Sequence, residues 1–305
     1  MGIIAYADSI EEVDAIPTGL PFFDKLTGIG GIPRGVITEI FGDESVGKST
    51  LCMQIVASAQ AQGLRCLWAD VEWSYSAQYA KALGVDNSKL GIIRERIAED
   101  MLDTLEEAAD SGDWDLIVLD AVGSILPRND SEKAADGKTI GSQAGVISRF
   151  CRKVVPSLKV HNVALIAINH SFVDIMSGAI LTSGGKKLRY HKSLSIRLKK
   201  KMGVSVKQGD TKVGKALVGE VKKNKIGSTE GMEADGILLF GVGFSAAASL
   251  VDDAIEKKVI TKKGNTYWFG DEKLGIGIGR ARKVIEDDAV LQEKLKIATY
   301  GPTET

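Results

Sequence analysis

Eight residues near the start of the chain, Gly42-Asp43-Glu44-Ser45-Val46-Gly47-Lys48-Ser49, have the types and spacing to hold a nucleoside triphosphate. They fit the pattern G-x-x-x-x-G-K-[ST], in which glycines permit a tight turn and successive backbone N–H groups converge on phosphate oxygens. Lys48 is expected to reach the β- and γ-phosphates and Ser49 to ligate Mg²⁺, with Thr50 carrying the segment into a helix whose N-terminus adds positive potential. Residues 36–41 read as a short buried strand and 49–62 as a helix stopped by Gly63, so the motif sits between strand and helix rather than in an arbitrary surface loop.

Two carboxylates extend this chemistry. The apolar run 115–120 ends in Asp120, which is placed to hold Mg²⁺ through its water shell. Glu72 follows another apolar run and is placed to polarise an attacking water; the plainer alternative is a solvated acid at a strand end.

The elements that must position these groups alternate. Runs 66–70, 116–120, 163–169 and 194–198 read as strands, with helical patterns over 77–83, 101–109 and 145–158. That alternation predicts an α/β fold, a mainly parallel twisted sheet with helices on both faces and ligands at the carboxyl ends of the strands. Glu44, Asp70, Glu72, Asp120 and Asn169 all fall at or just past strand ends. Beyond 198 the pattern changes. Runs 215–225 and 234–240 lack a long helix between them, which predicts an antiparallel extension. A helix over 247–258, a hairpin at Lys263-Gly264-Asn265 and a helix over 281–296 predict a small α+β C-terminal domain. The expected division is 1–240 and 241–305.

Bulk composition narrows the class. The 39 basic and 40 acidic side chains of the 305 residues leave a net charge of −1, which excludes a uniformly basic coat but not a local basic patch. Cys52, Cys66 and Cys151 lack metal-type spacing and read as buried free thiols. With neither a signal peptide nor a run of about 18 apolar residues, a cytoplasmic protein without membrane partners is expected. One segment is asymmetric: from Lys186 to Lys225 fourteen bases face two acids. A charge run is usually a solvated face, but this one abuts the loose segment 171–185, so it is expected to form a path for a phosphate backbone.

Taken in order, segments 41–50, 70–73 with 79–86, 115–127, 165–170, 183–190 and 221–226 resemble those of the RecA-type recombinases, collinearly from about Gly2 to Lys283. Ile168-Asn169-His170 is similar to the phage UvsX-like members, because most bacterial members carry Gln where His170 stands. The resemblance implies a RecA-like P-loop ATPase that uses ATP and Mg²⁺, binds single-stranded DNA, pairs it with a homologous duplex and assembles as a helical filament. It implies Glu72 as the catalytic carboxylate, Tyr79 stacked on adenine and His170 as γ-phosphate sensor. Lys223 and Lys225 would reach into the neighbouring subunit's ATP. The positions of 129–139 and 171–185 match the family's two DNA-binding loops. There Gly184, Gly185 and Lys186 would clasp phosphates and Phe172, Ile175, Met176 or Ile180 would wedge between bases, with Arg152 as a further DNA contact.

Some features depart from the family pattern. The chain begins close to the ATPase core, so the family's N-terminal docking helix is expected to be absent or truncated. Ser76 stands where an Asp usually bonds adenine, and the long acidic tail is lacking, so weaker base selectivity and less autoinhibition are expected. The rival expectations are a nucleoside or metabolite kinase, a RecA-fold branch-migration motor, and an ATP-gated DNA-binding accessory protein that does not self-assemble.

Overall fold

The protein is described by a computed structural model over residues 13–131, 142–174, 178–208 and 210–301, with only the backbone described at 186, 205 and 208. Its centre is the strand Ile37–Gly42, every residue of which is buried, as a strand covered on both faces requires. Ala164–Val173 pairs with it in parallel on one side and Leu194–Gln208 on the other. Outward from Ala164–Val173 come Leu116–Asp120, Cys66–Asp70 and an edge strand Leu90–Ile93, all parallel. Outward from Leu194–Gln208 the sheet turns antiparallel through Thr211–Asn224, Glu233–Leu239 and Gly243–Phe244. Both the parallel core and its antiparallel extension therefore match expectation.

Alternation along the strands feeds two cores. Ile40, Val118, Ile166 and Ile196 pack with Leu51 and Ile55 of the helix Lys48–Ala61 on one face. Ile37, Ile117, Leu119 and Leu165 pack with Met101 and Leu105 of Ala98–Ser111 and Phe150 and Val154 of Ser142–Val160 on the other. A further cluster, including Leu250, Ile260, Leu274 and Ile285, joins the helix Ala246–Glu256 to the three-stranded sheet Ile260–Lys263, Thr266–Phe269 and Glu272–Ile276. Cys52, Cys66 and Cys151 are buried free thiols.

Several elements differ from the sequence expectation. The edge strand Leu90–Ile93 is additional. The strand expected over 194–198 runs on to Gln208, because its antiparallel partner Thr211–Asn224 supports it across register shifts. The single helix expected over 281–296 is two, Ile278–Asp287 and Ala289–Tyr300. Asp288 leaves the helical conformation there, and its carboxylate caps the second helix by accepting from the N–H groups of Val290 and Leu291, each at 3.0 Å.

At the middle of the sheet lies a buried polar knot. Glu39 is fully buried and forms an ion pair with Lys192. Its carboxylate also accepts from Ser195 Oγ at 2.8 Å and Asn169 Nδ2 at 3.0 Å. Asn169 Nδ2 donates in addition to the carbonyl of Ser183 at 2.8 Å. One carboxylate thus ties three adjacent strands to the segment that returns after residue 180. Lys192→Met leaves that carboxylate buried without its cation and is expected to cost about 3–5 kcal/mol of stability. Denaturant unfolding reads this directly, and an unchanged midpoint would refute the ion-pair assignment.

Candidate active site

The carboxyl ends of the parallel strands open onto a cleft of about 570 Å³. Glu44, Ser45, Gly47, Lys48, Ser49, Thr50, Glu72, Asp120 and His170 line it, all of them singled out in the sequence, together with Ser124, which was not. Gly42 is required where the P-loop leaves its strand: its φ is 157°, and a Cβ would lie 2.2 Å from the carbonyl oxygen of Leu198. Gly47, with φ 95°, opens the helix Lys48–Ala61 and sits against Leu238, where a Cβ would approach to 2.9 Å. Val46 is buried beneath the loop.

The Lys48 ammonium is buried and donates to the carbonyls of Gly42 at 3.0 Å and Asp43 at 2.8 Å. Burial lowers its pKa against the pull of Asp120, Glu72, Asp43 and Glu44. His170 bridges two of the functional groups. Its Nδ1 is 3.5 Å from Lys48 Nζ and its Nε2 is 3.1 Å from Glu72 Oε1. Ser124 Oγ donates to the same Glu72 oxygen at 2.6 Å. Burial raises the Glu72 carboxyl, but Ser124, His170 and Lys48 outweigh it and hold it below the usual carboxylate range. Asp120 moves the other way. Burial pushes it up to about 6, the charges of Glu72 and Asp70 add to the rise, and a hydrogen bond with the Ser49 hydroxyl opposes it. Ser49 and Asp120, side by side, form a hard-oxygen pair suited to Mg²⁺ held partly through water. Tyr79 stands at the rim with its hydroxyl 3.1 Å from Thr50 Oγ1, and Ser76 caps the helix Ala77–Ala82.

Directly after His170, Ser171 Oγ donates to Asp43 Oδ1 at 2.7 Å, so the second expected loop starts in contact with the P-loop. That segment is more ordered than its aperiodic sequence predicts: Ile180–Thr182 pairs antiparallel with Ser171–Val173. Phe172, Val173 and Ile180 are exposed along this ribbon. Gly184 and Gly185, both with positive φ, lead into the helix Gly185–His191, which includes the backbone of Lys186. Ile175, Met176, the Lys186 side chain and residues 132–139 of the first expected loop lie outside the described residues.

Lys223 and Lys225 do not line the phosphate cleft. They line a separate cavity of about 590 Å³ beside Ile180 and Arg189. Lys223 Nζ donates to the carbonyls of Arg189 at 2.5 Å and Lys192 at 2.7 Å, and Lys225 Nζ to that of Tyr190 at 3.0 Å. Burial lowers Lys223 to about 8, helped by the charges of Lys225 and Lys192. His191 is lowered first by burial and then by Lys187, Lys225, Arg152 and Lys223, which places Arg152 in the same positive field.

Sequence reasoning missed Ser124 and Lys215. Ser124 follows the Asp120 strand in a short 3₁₀ turn and carries no motif of its own. Lys215, one base among fourteen in its segment, donates to the carbonyl of Ser45 in the P-loop at 2.5 Å. Only the pairing of Thr211–Asn224 in the sheet reveals that contact.

Asp120 is protonated below its pKa of about 6, and a protonated carboxyl cannot hold a hydrated dication. Mg²⁺-dependent nucleotide affinity is therefore expected to weaken as pH falls through that value and to level off above it. Titration of a fluorescent ATP analogue with Mg²⁺ between about pH 5 and pH 7 checks this. Asp120→Asn should abolish the limb, and a flat wild-type profile would contradict the role.

The family model for the RecA N-terminal domain matches residues 2–245. The chain is 34% identical over 291 residues to Protein RecA of Sulfurovum sp. (strain NBC37-1), covering 94% of this chain and 83% of that protein. It is 36% identical over 300 residues to Protein RecA of Fusobacterium nucleatum, covering 96% and 79%. To Protein RecA of Aquifex pyrophilus it is 36% identical over 286 residues, covering 92% and 81%. This end-to-end likeness does not favour a branch-migration motor or an accessory protein. No helix among the described residues is long and apolar enough to cross a membrane. A P-loop cleft with its carboxylates in place and this likeness over nearly the whole length lead to one assignment: the chain belongs to the RecA family, with a recombinase role in DNA recombination and repair.

Proposed function

We propose that this chain is a DNA-dependent ATPase that assembles as a filament on single-stranded DNA and catalyses homologous pairing and strand exchange. The observation that carries the reading is His170. It touches Lys48 on one side and Glu72 on the other, and the second loop begins at the next residue. A change at the γ-phosphate end of the cleft is therefore one residue from the expected DNA contact.

In this reading the amides of residues 43–49 and the Lys48 ammonium hold the ATP phosphates, and Tyr79 flanks the adenine. Ser49 and Asp120 would hold Mg²⁺, which would supply neutralisation of the triphosphate's charge. Glu72, kept ionised by its donors, accepts a proton from the attacking water. Lys223 and Lys225, pointed away from their own cleft, complete the cleft of a neighbouring copy and stabilise transition-state charge there. Single-stranded DNA lies along Phe172, Ile180, Gly184, Gly185 and Arg152, with Ile175, Met176, Lys186 and the loop at 129–139 as further contacts. Backbone contacts and stacking hold it, while sequence is read by base pairing with the homologous duplex. The proposed division is an ATPase core over 1–240 and a C-terminal domain over 241–305, with the strand Gly243–Phe244 reaching back to pair in the core sheet.

Lys223→Ala should leave nucleotide binding by an isolated subunit intact yet remove DNA-stimulated turnover in the assembly. Steady-state ATP hydrolysis with and without oligodeoxythymidine, alongside electron microscopy of the complex with a slowly hydrolysed ATP analogue, tests this. Unchanged stimulated turnover in the variant would exclude the role in trans, and discrete particles instead of helical filaments would exclude the assembly.

A further inference from the structure

Glu72 lies on neither a strand nor a helix. It sits in the turn that follows Cys66–Asp70, and a general base on a turn needs something to hold the turn still. The following residue, Trp73, has φ 55°, a left-handed backbone that a bulky side chain rarely adopts, and its ring is 60% exposed. What restrains this conformation is mainly the carboxylate of Asp70, which is fully buried. Asp70 Oδ1 accepts from the N–H of Ser74 at 2.9 Å, and Oδ2 from that of Tyr75 at 3.2 Å.

A buried carboxylate on these amides calls for a cation, and Arg94 supplies it. Arg94 directly follows the edge strand Leu90–Ile93, and its Nε donates to Asp70 Oδ2 at 2.9 Å. The same guanidinium lies over the Trp73 ring, with Cζ 5.6 Å from the centroid. A planar cation can pair edge-on with a carboxylate while its flat face lies on an aromatic ring. Arg94 therefore grips the turn at two points, one on each side of Glu72.

We infer that Arg94 is a positioning residue for ATP hydrolysis, bracing the Asp70–Tyr75 turn so that Glu72 meets Ser124 and His170. Arg94 is not among the residues that line the cleft, so its contribution is expected in turnover and not in nucleotide affinity. The inference rests on Glu72 being the general base. Misplacing a catalytic group by about 1 Å costs up to about a hundredfold in rate.

The experiment compares wild type, Arg94→Ala, Arg94→Lys and Glu72→Gln in steady-state ATP hydrolysis stimulated by oligodeoxythymidine with saturating Mg²⁺. A fluorescent ATP analogue counts binding-competent chains in each preparation. Arg94→Ala is expected to lose about ten- to a hundredfold in kcat per competent chain with KM for ATP within about twofold of wild type. Arg94→Lys keeps the ion pair without the stacking and should recover part of the loss. A loss confined to the number of competent chains, or a raised KM at unchanged kcat, would overturn the inference. Wild-type turnover in Arg94→Ala while Glu72→Gln is inactive would overturn it and leave the general-base reading standing. Wild-type turnover in Glu72→Gln would remove the general base and this inference with it.

Discussion

The Lys48 ammonium is buried at a strand-to-helix turn with Asp43, Glu44, Glu72 and Asp120 all within electrostatic reach, and much of the surrounding structure answers that one constraint. Two of its N–H bonds are taken by the carbonyls of Gly42 and Asp43, which tie the ammonium to the start of the loop. Carboxylates crowded around one cation repel one another, and the fold relieves this by treating two of them oppositely. Asp120, deep in the cleft, shifts towards its neutral form, while Glu72 is held ionised by Ser124 and His170. Two neighbouring acids are thereby driven apart, one towards its neutral form and one towards its ionised form. His170 joins the buried cation to one of these acids, since it touches Lys48 and Glu72 together.

A second buried charge organises the sheet from within. Glu39 sits on the P-loop strand three residues before Gly42, so the partners it gathers fall where strands give way to functional segments. Asn169 precedes His170, Ser183 ends the ribbon of the second loop, and the Lys192 carbonyl receives Lys223. An apolar residue in place of Glu39 would pack among the strands but would leave Lys192 and Ser195 buried without this acceptor and Asn169 with only the Ser183 carbonyl. The knot thus sets the registration between the nucleotide cleft, the expected DNA loop and the cavity lined by Lys223 and Lys225.

What the sequence disclosed follows from how local each constraint is. A phosphate cradle needs fixed residue types at fixed spacing, so residues 42–49 were legible at once. Strands buried on both faces, such as Leu116–Asp120, are legible because burial leaves an uninterrupted apolar run. The edge strand Leu90–Ile93 is only partly buried and contains Gly91, so its pattern is too weak to detect. The ribbon at Ser171–Val173 and Ile180–Thr182 is held by cross-strand pairing of apolar side chains, which has no period to read. Glu39 and Lys192 are separated by 153 residues, and Arg94 reaches Asp70 from the next strand of the sheet. Such contacts exist only once the strand order does, so they were hidden together with Ser124 and Lys215.

The basic segment shows how linear counting misleads. Along the chain, residues 186–225 carry twelve net positive charges. In the fold, antiparallel pairing sets Glu220 against Glu233 and Val218 against Asp235, so two acids from outside the segment enter its field. Lys199 meets Glu220 and Glu233, Lys201 meets Asp235, Lys222 meets Glu220, and Lys192 is consumed by Glu39. An exposed pair of this kind is worth at most about 1 kcal/mol, so a phosphate can displace the acid. A lysine drawn from its carboxylate to a phosphate nonetheless leaves that carboxylate to attract a cation, which offsets one of the cations the DNA releases. The salt dependence of DNA binding is therefore expected to follow exposed bases such as Lys187, Lys200, Lys207 and Lys212, and to be shallower than the charge of the segment implies. The same pairing draws the positive field away from the middle of the hairpin, towards its tip and towards the helix Gly185–His191, where the second loop ends.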